Sequence, residues 1–194
     1  MEENKPIMEP PTVGELVRSA KDGDRLAFRG IFGMGSDRVF RFLIGQLGDR
    51  EDALDLLQEV FIDVWKGLPR FNYRSDEEFW GFVFLIARRK VFALRAHAHK
   101  RNVPVENDVL EALHEQQSSE ITHADEHHPL ILAMKHLNSL SQEILGLRYW
   151  SALSFKEIGI AMNISENNAK VRHHRALKEL QTYLPKEYVE QQFT

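Results

Sequence analysis

Acidic side chains are concentrated between positions 49 and 63, at Asp49, Glu51, Asp52, Asp55, Glu59 and Asp63. Neighbouring carboxylates can perform acid–base catalysis when an apolar pocket raises the pKa of one of them. Here the carboxylates share one polar helix face, and no apolar pocket accompanies them. The pattern therefore favours a negatively charged docking surface for a basic partner over an active site. The plainer alternative is the solvated outer face of a core helix.

The helix that must carry these carboxylates has clear ends. Gly48 precedes it, Asp49 is suited to cap it, and Gly67 with Pro69 closes it. Its other face is apolar at helical spacing, through Ala53, Leu57, Val60, Phe61, Val64 and Leu68. Upstream, the pattern predicts helices at 13–20, 26–32 and 39–47. A turn is expected at 21–24, and a break is expected at the Gly-Met-Gly-Ser stretch 33–36.

A second long helix is predicted from Asp76 to Lys100, after a polar loop that contains aromatic residues. Ser75 and Glu78 have the spacing of a capping box at its start. Its first half is apolar and aromatic, and its second half is basic without any acid, through Arg88, Arg89, Lys90, Arg95, Lys100 and Arg101. Such separation of charge along the chain indicates that different surfaces meet different partners.

Residues 154–180 have the pattern of a helix-turn-helix. Ser154 and Glu157 form a capping box, Asn163 suits a left-handed turn, Gly159 allows a close helix crossing, and Ser165 caps the second helix. The exposed side of that second helix carries amides and cations: Asn167, Asn168, Lys170, Arg172, His173, Arg175 and Lys178. Amides can read base edges in a major groove, and cations bind phosphates. The alternative is an ordinary helical hairpin with a basic solvated face.

Composition excludes several other classes of protein. The 194 residues include no cysteine, which removes disulfides and thiolate chemistry and fits a reducing cytoplasm. The hydrophobic fraction of 43% is too dispersed for a membrane span, and the polar, proline-rich start does not read as a signal peptide. No nucleophile motif or glycine-rich phosphate loop is present. We therefore expect a cytoplasmic protein that is not an enzyme and has no cofactor, small-molecule substrate or membrane insertion.

These elements predict an all-α fold of two small helical domains, at residues 13–101 and 129–184, joined by an acidic flexible linker at 102–128. Residues 1–12 are expected to be disordered, and 185–194 form a C-terminal tail. The linker could contain a short helix over 109–114. Its cluster of His123, Asp125, Glu126, His127 and His128 has spacing that a metal could use. We predict no metal site, because no cysteine supports zinc and the segment reads as flexible.

Both halves together resemble a sigma factor of bacterial RNA polymerase, of the extracytoplasmic-function (ECF) type. The run Gly48-Asp-Arg-Glu-Asp-Ala, then Asp55-Leu-Leu-Gln-Glu-Val-Phe61 and Leu68-Pro-Arg-Phe71, resembles region 2 of that family. Ser154-Phe-Lys-Glu-Ile158 and Arg172-His-His-Arg-Ala176 resemble region 4. The resemblance covers residues 13–101 and 129–184. The first motif is highly specific, whereas other helix-turn-helix regulators share the second.

The resemblance implies a role for each charged surface. The acidic helix would dock on core RNA polymerase, with contacts from Asp49, Asp52, Asp55, Gln58, Glu59 and Asp63. The loop and the basic half-helix would hold and melt the −10 element, through Asn72, Tyr73, Arg74, Ser75, Trp80, Arg88, Arg89, Lys90, Arg95, Lys100 and Arg101. The helix-turn-helix would read the −35 element, through Ser165, Asn167, Asn168, Lys170, Arg172, His173, Arg175 and Lys178. The expected partners are core polymerase, promoter DNA and an anti-sigma protein.

The sequence departs from the family pattern in a few positions. Phe82 stands where tryptophan is usual, and Ala93 where an aspartate is common. The start of the recognition helix has Asn167-Asn168-Ala169 in place of Gly-Thr-Val. These differences concern the promoter sequence rather than the class. Two alternatives remain open: a stand-alone, dimeric helix-turn-helix regulator, and a degenerate sigma-like module that binds a partner without melting DNA.

Overall fold

The computed structural model describes residues 10–100 and 128–185, and its regular structure within those ranges is helical throughout. The helices are α1 (Val13–Lys21), α2 (Arg25–Leu47), α3 (Arg50–Gly67), α4 (Asp76–Lys100), α5 (His128–His136), α6 (Ser139–Tyr149), α7 (Phe155–Met162) and α8 (Glu166–Tyr183). A short 3₁₀ turn, Leu68–Arg70, follows α3. The prediction of an all-α fold is confirmed. The expectations for the disordered start, for the linker with its short helix and histidine cluster, and for the C-terminal tail lie outside the described ranges, apart from residues 10–12, His128 and Pro185.

Capping side chains set the starts of most helices. Asp24 caps α2 and Asp49 caps α3, as their sequence contexts predict, and α1 begins with a capping box between Thr12 and Glu15. The helix α2 ends at Gly48, which has a positive φ of 76°. Glycine adopts that left-handed conformation without the steric cost that a Cβ imposes. The boundaries of these helices therefore follow from local chemistry.

The predicted break at 33–36 is wrong, because α2 runs through it without interruption. A glycine inside a helix costs about 0.5–1 kcal/mol relative to alanine, and the sequence pattern reflects that cost. The structure offsets it by packing: a Cβ on Gly35 would collide with the ring of Trp80, which is itself buried. Gly35 therefore makes room for an aromatic side chain of α4 and does not end the helix.

The N-terminal helices enclose a core to which α2, α3 and α4 all contribute. Fully buried side chains of this core include Phe42, Val60, Phe79 and Phe84. The apolar face predicted for α3 is buried throughout, and Leu56 joins it. Consequently α3 presents its acidic face outward.

The helices α5 to α8 form the second packing unit, with Leu147, Ile158, Ala169 and Ala176 among its buried residues. Its first helix-turn-helix element, α7, also packs directly on α4. A Cβ built on Gly81 of α4 would lie 2.6 Å from Cβ of Ile160, which shows how closely the two helices approach. No helix in the described part of the chain is long and apolar enough to cross a membrane.

Candidate protein and nucleic-acid interfaces

The acidic face of α3, defined as Asp49, Asp52, Asp55, Gln58, Glu59 and Asp63, is largely open to solvent. All six side chains are exposed except Asp63, which is half-buried. Asp49 also has a structural task, because its carboxylate accepts a hydrogen bond of 2.9 Å from the backbone N–H of Asp52. Negative charge in this first turn is favourable, since the helix N-terminus is partially positive. The structure brings the six predicted residues onto one continuous surface.

Lys90 of α4 reaches this acidic face. Its Nζ lies 2.9 Å from a carboxylate oxygen of Glu59 and 2.9 Å from one of Asp63. The hydrogen bond with Asp63, together with that with Glu59, raises the pKa of Lys90 above its ordinary value. Lys90 belongs to the cations predicted to bind DNA. In this structure it neutralises part of the acidic face instead.

The loop before α4 presents two exposed side chains, Asn72 and Arg74. Tyr73 between them is half-buried and packs on α1, where a Cβ on Gly14 would lie 2.9 Å from its ring. The Tyr73 hydroxyl donates to the carboxylate of Asp76, and this hydrogen bond raises the pKa of Tyr73 to about 12. Ser75 accepts a hydrogen bond of 3.3 Å from the N–H of Glu78. The loop is thus fixed at both sides, with Asn72 and Arg74 as its outward contacts.

Trp80, which the sequence assigns to the same site, lies elsewhere. Its side chain is buried against Gly35, and the guanidinium of Arg38 stands over its ring at 5.2 Å from the centroid. Nearby, Phe71 stacks on Phe82 with centroids 4.8 Å apart. The aromatic half of α4 consequently forms the floor beneath the loop, and the structure does not bring Trp80 to the surface with Asn72 and Arg74.

The predicted DNA-binding cations of α4 have different environments. Arg89 is exposed, whereas Arg95 donates a hydrogen bond of 2.7 Å to the backbone carbonyl of Gln46 at the end of α2. Burial lowers the pKa of Arg95 below its ordinary value. Arg88 faces the second unit and pairs with Glu143. The side chain of Lys100 and all of Arg101 lie outside the part of the chain whose side chains the structure describes.

The helix-turn-helix has the geometry that its sequence predicts. Ser154 and Glu157 make both hydrogen bonds of a capping box, and Asn163 adopts the left-handed conformation with φ 55° and ψ 48°. A Cβ on Gly159 would lie 2.9 Å from the carbonyl oxygen of Ile164, so only glycine lets the turn approach this closely. Ser165 caps α8 by accepting from the N–H of Asn168.

The outward side of α8 carries most of the residues predicted to read DNA from this helix, whereas Arg172 and His173 are half-buried. Asn167, Lys170, Arg175 and Lys178 are exposed along with Ser165 and Asn168. Arg172 donates a hydrogen bond of 3.1 Å to the amide oxygen of Asn168, which orients the guanidinium along the helix. Lys170 pairs with Glu166 at 2.6 Å in an exposed contact one turn apart. The face is therefore basic and amide-rich, with a single acid at its start.

His173 is held by residues that the sequence does not single out for this site. Its Nε2 lies 3.2 Å from the hydroxyl of Tyr149, and its ring stands edge to face with Phe155 at 5.1 Å. Burial lowers the pKa of His173, and the charges of Arg148 and His174 lower it further. These contacts join α6, α7 and α8, so they fix α8 on the rest of its unit. Phe155 and His173 stand in the quoted motifs, but nothing in those motifs indicates that Phe155 and Tyr149 converge on this histidine.

No group of three or more metal-ligating side chains occurs within residues 10–100 and 128–185. The described part of the chain is all helical, and it has three distinct surfaces: a helix-turn-helix, an exposed polar loop with basic neighbours, and an acidic helix face. Comparison with known proteins identifies the group to which such a chain belongs. Residues 32–100 match the family model of Sigma-70 region 2, and residues 133–182 match that of Sigma-70, region 4.

Curated relatives of this chain are described as ECF RNA polymerase sigma factors. SigM of Bacillus subtilis, an ECF RNA polymerase sigma factor, is 30% identical over 151 residues, which cover 77% of this chain and 90% of SigM. ShbA of Streptomyces griseus is 30% identical over 182 residues, covering 89% of this chain and 95% of ShbA. BldN of Streptomyces coelicolor is 28% identical over 173 residues, covering 88% of this chain but only 65% of BldN. The chain belongs to the ECF sigma factors of the sigma-70 family.

Two solved structures have a similar fold. CnrH in complex with the cytosolic domain of CnrY superposes with a TM-score of 0.63 at 17% identity, covering 86% of this chain and 93% of CnrH. The sigma factor RpoE of Bartonella quintana, in complex with the anti-sigma factor NepR, superposes with a TM-score of 0.58 at 17% identity. The match covers 80% of this chain and 95% of RpoE. At this identity the likeness concerns the fold alone.

Proposed function

We propose that this chain binds core RNA polymerase through the acidic face of α3 and directs it to promoters by recognising two DNA elements. The observation that carries the proposal is the division of charge between surfaces. Six polar and mainly acidic residues form one face of α3, while the cations and amides of α8 point outward from a different unit. Opposite charges attract each partner to its own surface and repel it from the other.

The helix-turn-helix supplies the −35 contact in this proposal. Asn167 and Asn168 stand at the N-terminal end of α8, which is the part of a recognition helix that reaches base edges. Lys170, Arg175 and Lys178 are exposed farther along and would bind phosphates. The −10 element would meet the exposed Asn72, Arg74 and Arg89, with an unstacked base held at the loop. Melting follows when the separated strand is stabilised there.

The proposal includes an anti-sigma protein as a regulator. CnrH and RpoE of Bartonella quintana, which share the fold, were each solved in complex with such a partner or with the cytosolic domain of CnrY. Two DNA-binding units that must be free for promoter binding offer an inhibitor extended surfaces to cover. We infer the class of the partner and assign it no residues.

Charge reversal on the acidic face tests the proposal. Asp55→Lys replaces an exposed carboxylate at the middle of the face, so the fold should remain intact while binding to core polymerase falls by an order of magnitude or more. Binding is measured by pull-down and by fluorescence anisotropy with core RNA polymerase from the same bacterium. Asp37→Lys, which reverses an exposed acid of α2, serves as the matched control and should bind normally.

The same assay separates the alternatives. A stand-alone regulator would fail to bind core polymerase, would form a stable dimer in light scattering, and would bind duplex DNA tightly by itself. A degenerate module would bind its partner without opening promoter DNA. Normal polymerase binding by Asp55→Lys, in a variant with an unchanged circular dichroism spectrum, contradicts the docking assignment.

A further inference from the structure

The two DNA-binding units dock on each other through α4 and α7. Ala161 of α7 is fully buried, and Gly81 of α4 leaves just enough space for Ile160, whose Cγ2 would lie 2.7 Å from a Cβ at that position. The contact is therefore closely packed and depends on a residue without a side chain. It joins the helix that carries the basic half-segment to the first helix of the helix-turn-helix.

Ion pairs surround this packed centre. Arg88 grips Glu143 with two hydrogen bonds, Nε to Oε1 at 2.6 Å and Nη2 to Oε2 at 3.0 Å. A third donor of the same guanidinium, Nη1, lies 2.9 Å from the carbonyl oxygen of Ala161. The side chains of Arg88 and Glu143 are 24% and 15% exposed. A bidentate, mostly buried pair of this kind is stronger than an exposed one.

Two further ion pairs cross the same interface, but separation of the units would change them less than the Arg88–Glu143 pair. Arg38 binds the Glu157 carboxylate at 3.2 Å, but Glu157 also accepts the capping hydrogen bond from the Ser154 N–H at 2.6 Å. Its carboxylate would therefore stay in place when the units separate. Lys156 and Glu77, 3.4 Å apart, are both exposed and contribute little. Glu143, in contrast, would lose both of its hydrogen bonds with Arg88 when the units separate.

The docked form is incompatible with simultaneous reading of two promoter elements. Elements centred about 25 base pairs apart lie about 85 Å apart on B-form DNA, at about 3.4 Å per base pair. Here the first turn of α4, which directly follows the loop that would meet the −10 element, contacts the helix-turn-helix, since Glu77 of α4 pairs with Lys156 of α7. In addition, Glu143 and Ala161 occupy three of the five N–H donors of Arg88, including the Nε and Nη2 pair that would otherwise bind a phosphate with two hydrogen bonds.

We infer that Glu143 stands in for a promoter phosphate: in the free protein its carboxylate holds Arg88 and keeps the two DNA-binding units closed on each other. A guanidinium binds a carboxylate and a phosphate with the same two-pronged geometry, so each displaces the other. Closing and promoter binding then exclude each other, and the free protein is restrained from binding DNA until a partner separates the units. The inference rests on the proposed function in taking both units as DNA-binding, and it adds Arg88 to the residues that would contact the −10 element.

Opening can be measured directly on the full chain without polymerase. Because the sequence has no cysteine, Arg29→Cys in α2 and Gln181→Cys in α8 can be spin-labelled without competing thiols. Both positions are exposed and lie in different units. Pulsed electron paramagnetic resonance reports the distance between the labels. Glu143→Gln should raise the ratio of open to closed molecules roughly tenfold, as loss of a charge-assisted hydrogen-bonded pair implies.

Matched variants exclude a general effect of charge. Glu179→Gln removes the same charge from the same unit. The Glu179 carboxylate accepts hydrogen bonds from Asn138 and Ser141 within that unit, so the change should leave the distances unchanged. The double variant Arg88→Glu with Glu143→Arg restores the pair with its sign reversed and should close again. An unchanged distance distribution for Glu143→Gln, with its circular dichroism intact, overturns the inference.

DNA binding by the free protein gives the second readout. Anisotropy with a fluorescent random-sequence duplex at low salt should show several-fold tighter binding by Glu143→Gln than by the wild type or Glu179→Gln. Equal affinities would overturn the role of Glu143 as a phosphate substitute. Neither measurement involves polymerase, so failure of the docking test on α3 and failure of this inference are told apart.

Discussion

At the scale of single residues, the cations of α4 show what charge alone does not reveal. Arg88, Lys90 and Arg95 form one basic run in the sequence, yet each binds a different partner: Glu143, the acidic face of α3, and the carbonyl of Gln46. Among the described cations of this run, Arg89 is the one that is exposed. A cation that is already paired within the protein attracts DNA less strongly than a solvent-exposed one. We therefore expect Arg89 to be the most accessible of these cations for a DNA phosphate.

His173 gives a pH-dependent prediction at this scale. Burial and nearby positive charge lower its folded pKa, so folding favours the neutral ring. Its contribution to stability is present above its unfolded pKa of about 6.5 and is lost as the pH falls through the lower folded value, because the unfolded chain then binds the extra proton. We expect His173→Gln to reduce the fall in thermal midpoint between about pH 7.5 and pH 5.5.

Circular dichroism melts of the full chain measure this effect. His174→Gln is the matched control. It removes the exposed neighbouring ring, whose charge is the smallest of the three causes that lower the pKa of His173, and it should retain most of the wild-type fall. A His173→Gln melting series that follows the wild type at every pH would refute the assignment. Direct titration of His173 by NMR gives an independent reading of the direction of its pKa shift.

At the scale of helices, the local sequence predicts where a helix begins and ends better than whether it continues through an internal glycine. Caps depend on side chains three residues away, so Asp49, Ser154 and Ser165 are recognisable from sequence. The break predicted in α2 failed because the reason for Gly35 is Trp80, a residue of another helix. Gly33 and Gly35 look alike in sequence, and only tertiary packing distinguishes them.

This contrast between two glycines of one helix is testable. Gly33 has nothing within 4 Å of a built Cβ, so Gly33→Ala should stabilise α2 by about 0.5–1 kcal/mol through helix propensity. At Gly35 the same change collides with Trp80 and should destabilise by about 1–2 kcal/mol, since overpacking outweighs propensity. Urea denaturation followed by circular dichroism measures both. Equal shifts of the same sign would contradict the packing role of Gly35.

At the scale of the whole molecule, the sequence predicts two helical units but not their docking. The pairs across the interface join residues far apart in the chain, 55 positions for Arg88 and Glu143 and 119 for Arg38 and Glu157. The sequence gives Glu157 a local capping role, but no periodic or capping pattern links Glu157 to Arg38 or Glu143 to Arg88. The family motifs describe each unit by itself, and the contact between units follows only from the three-dimensional structure.

The packed centre of that contact yields the last prediction, independent of charge. Gly81→Ala puts a Cβ 2.6 Å from Cβ of Ile160, an atom too close to the backbone to swing aside, so α7 must move away from α4. The same change favours α4 as a helix by about 0.5–1 kcal/mol, so its own unit is strengthened. Overpacking of about 1–3 kcal/mol then shifts the molecule toward the open form by roughly tenfold or more. Small-angle scattering should show a larger radius of gyration for Gly81→Ala than for wild type or Gly33→Ala. A profile identical to the wild type would mean that the two units are not held together by this contact. Alanine does not weaken α4 itself, so the steric overlap could be relieved only by moving α7 away.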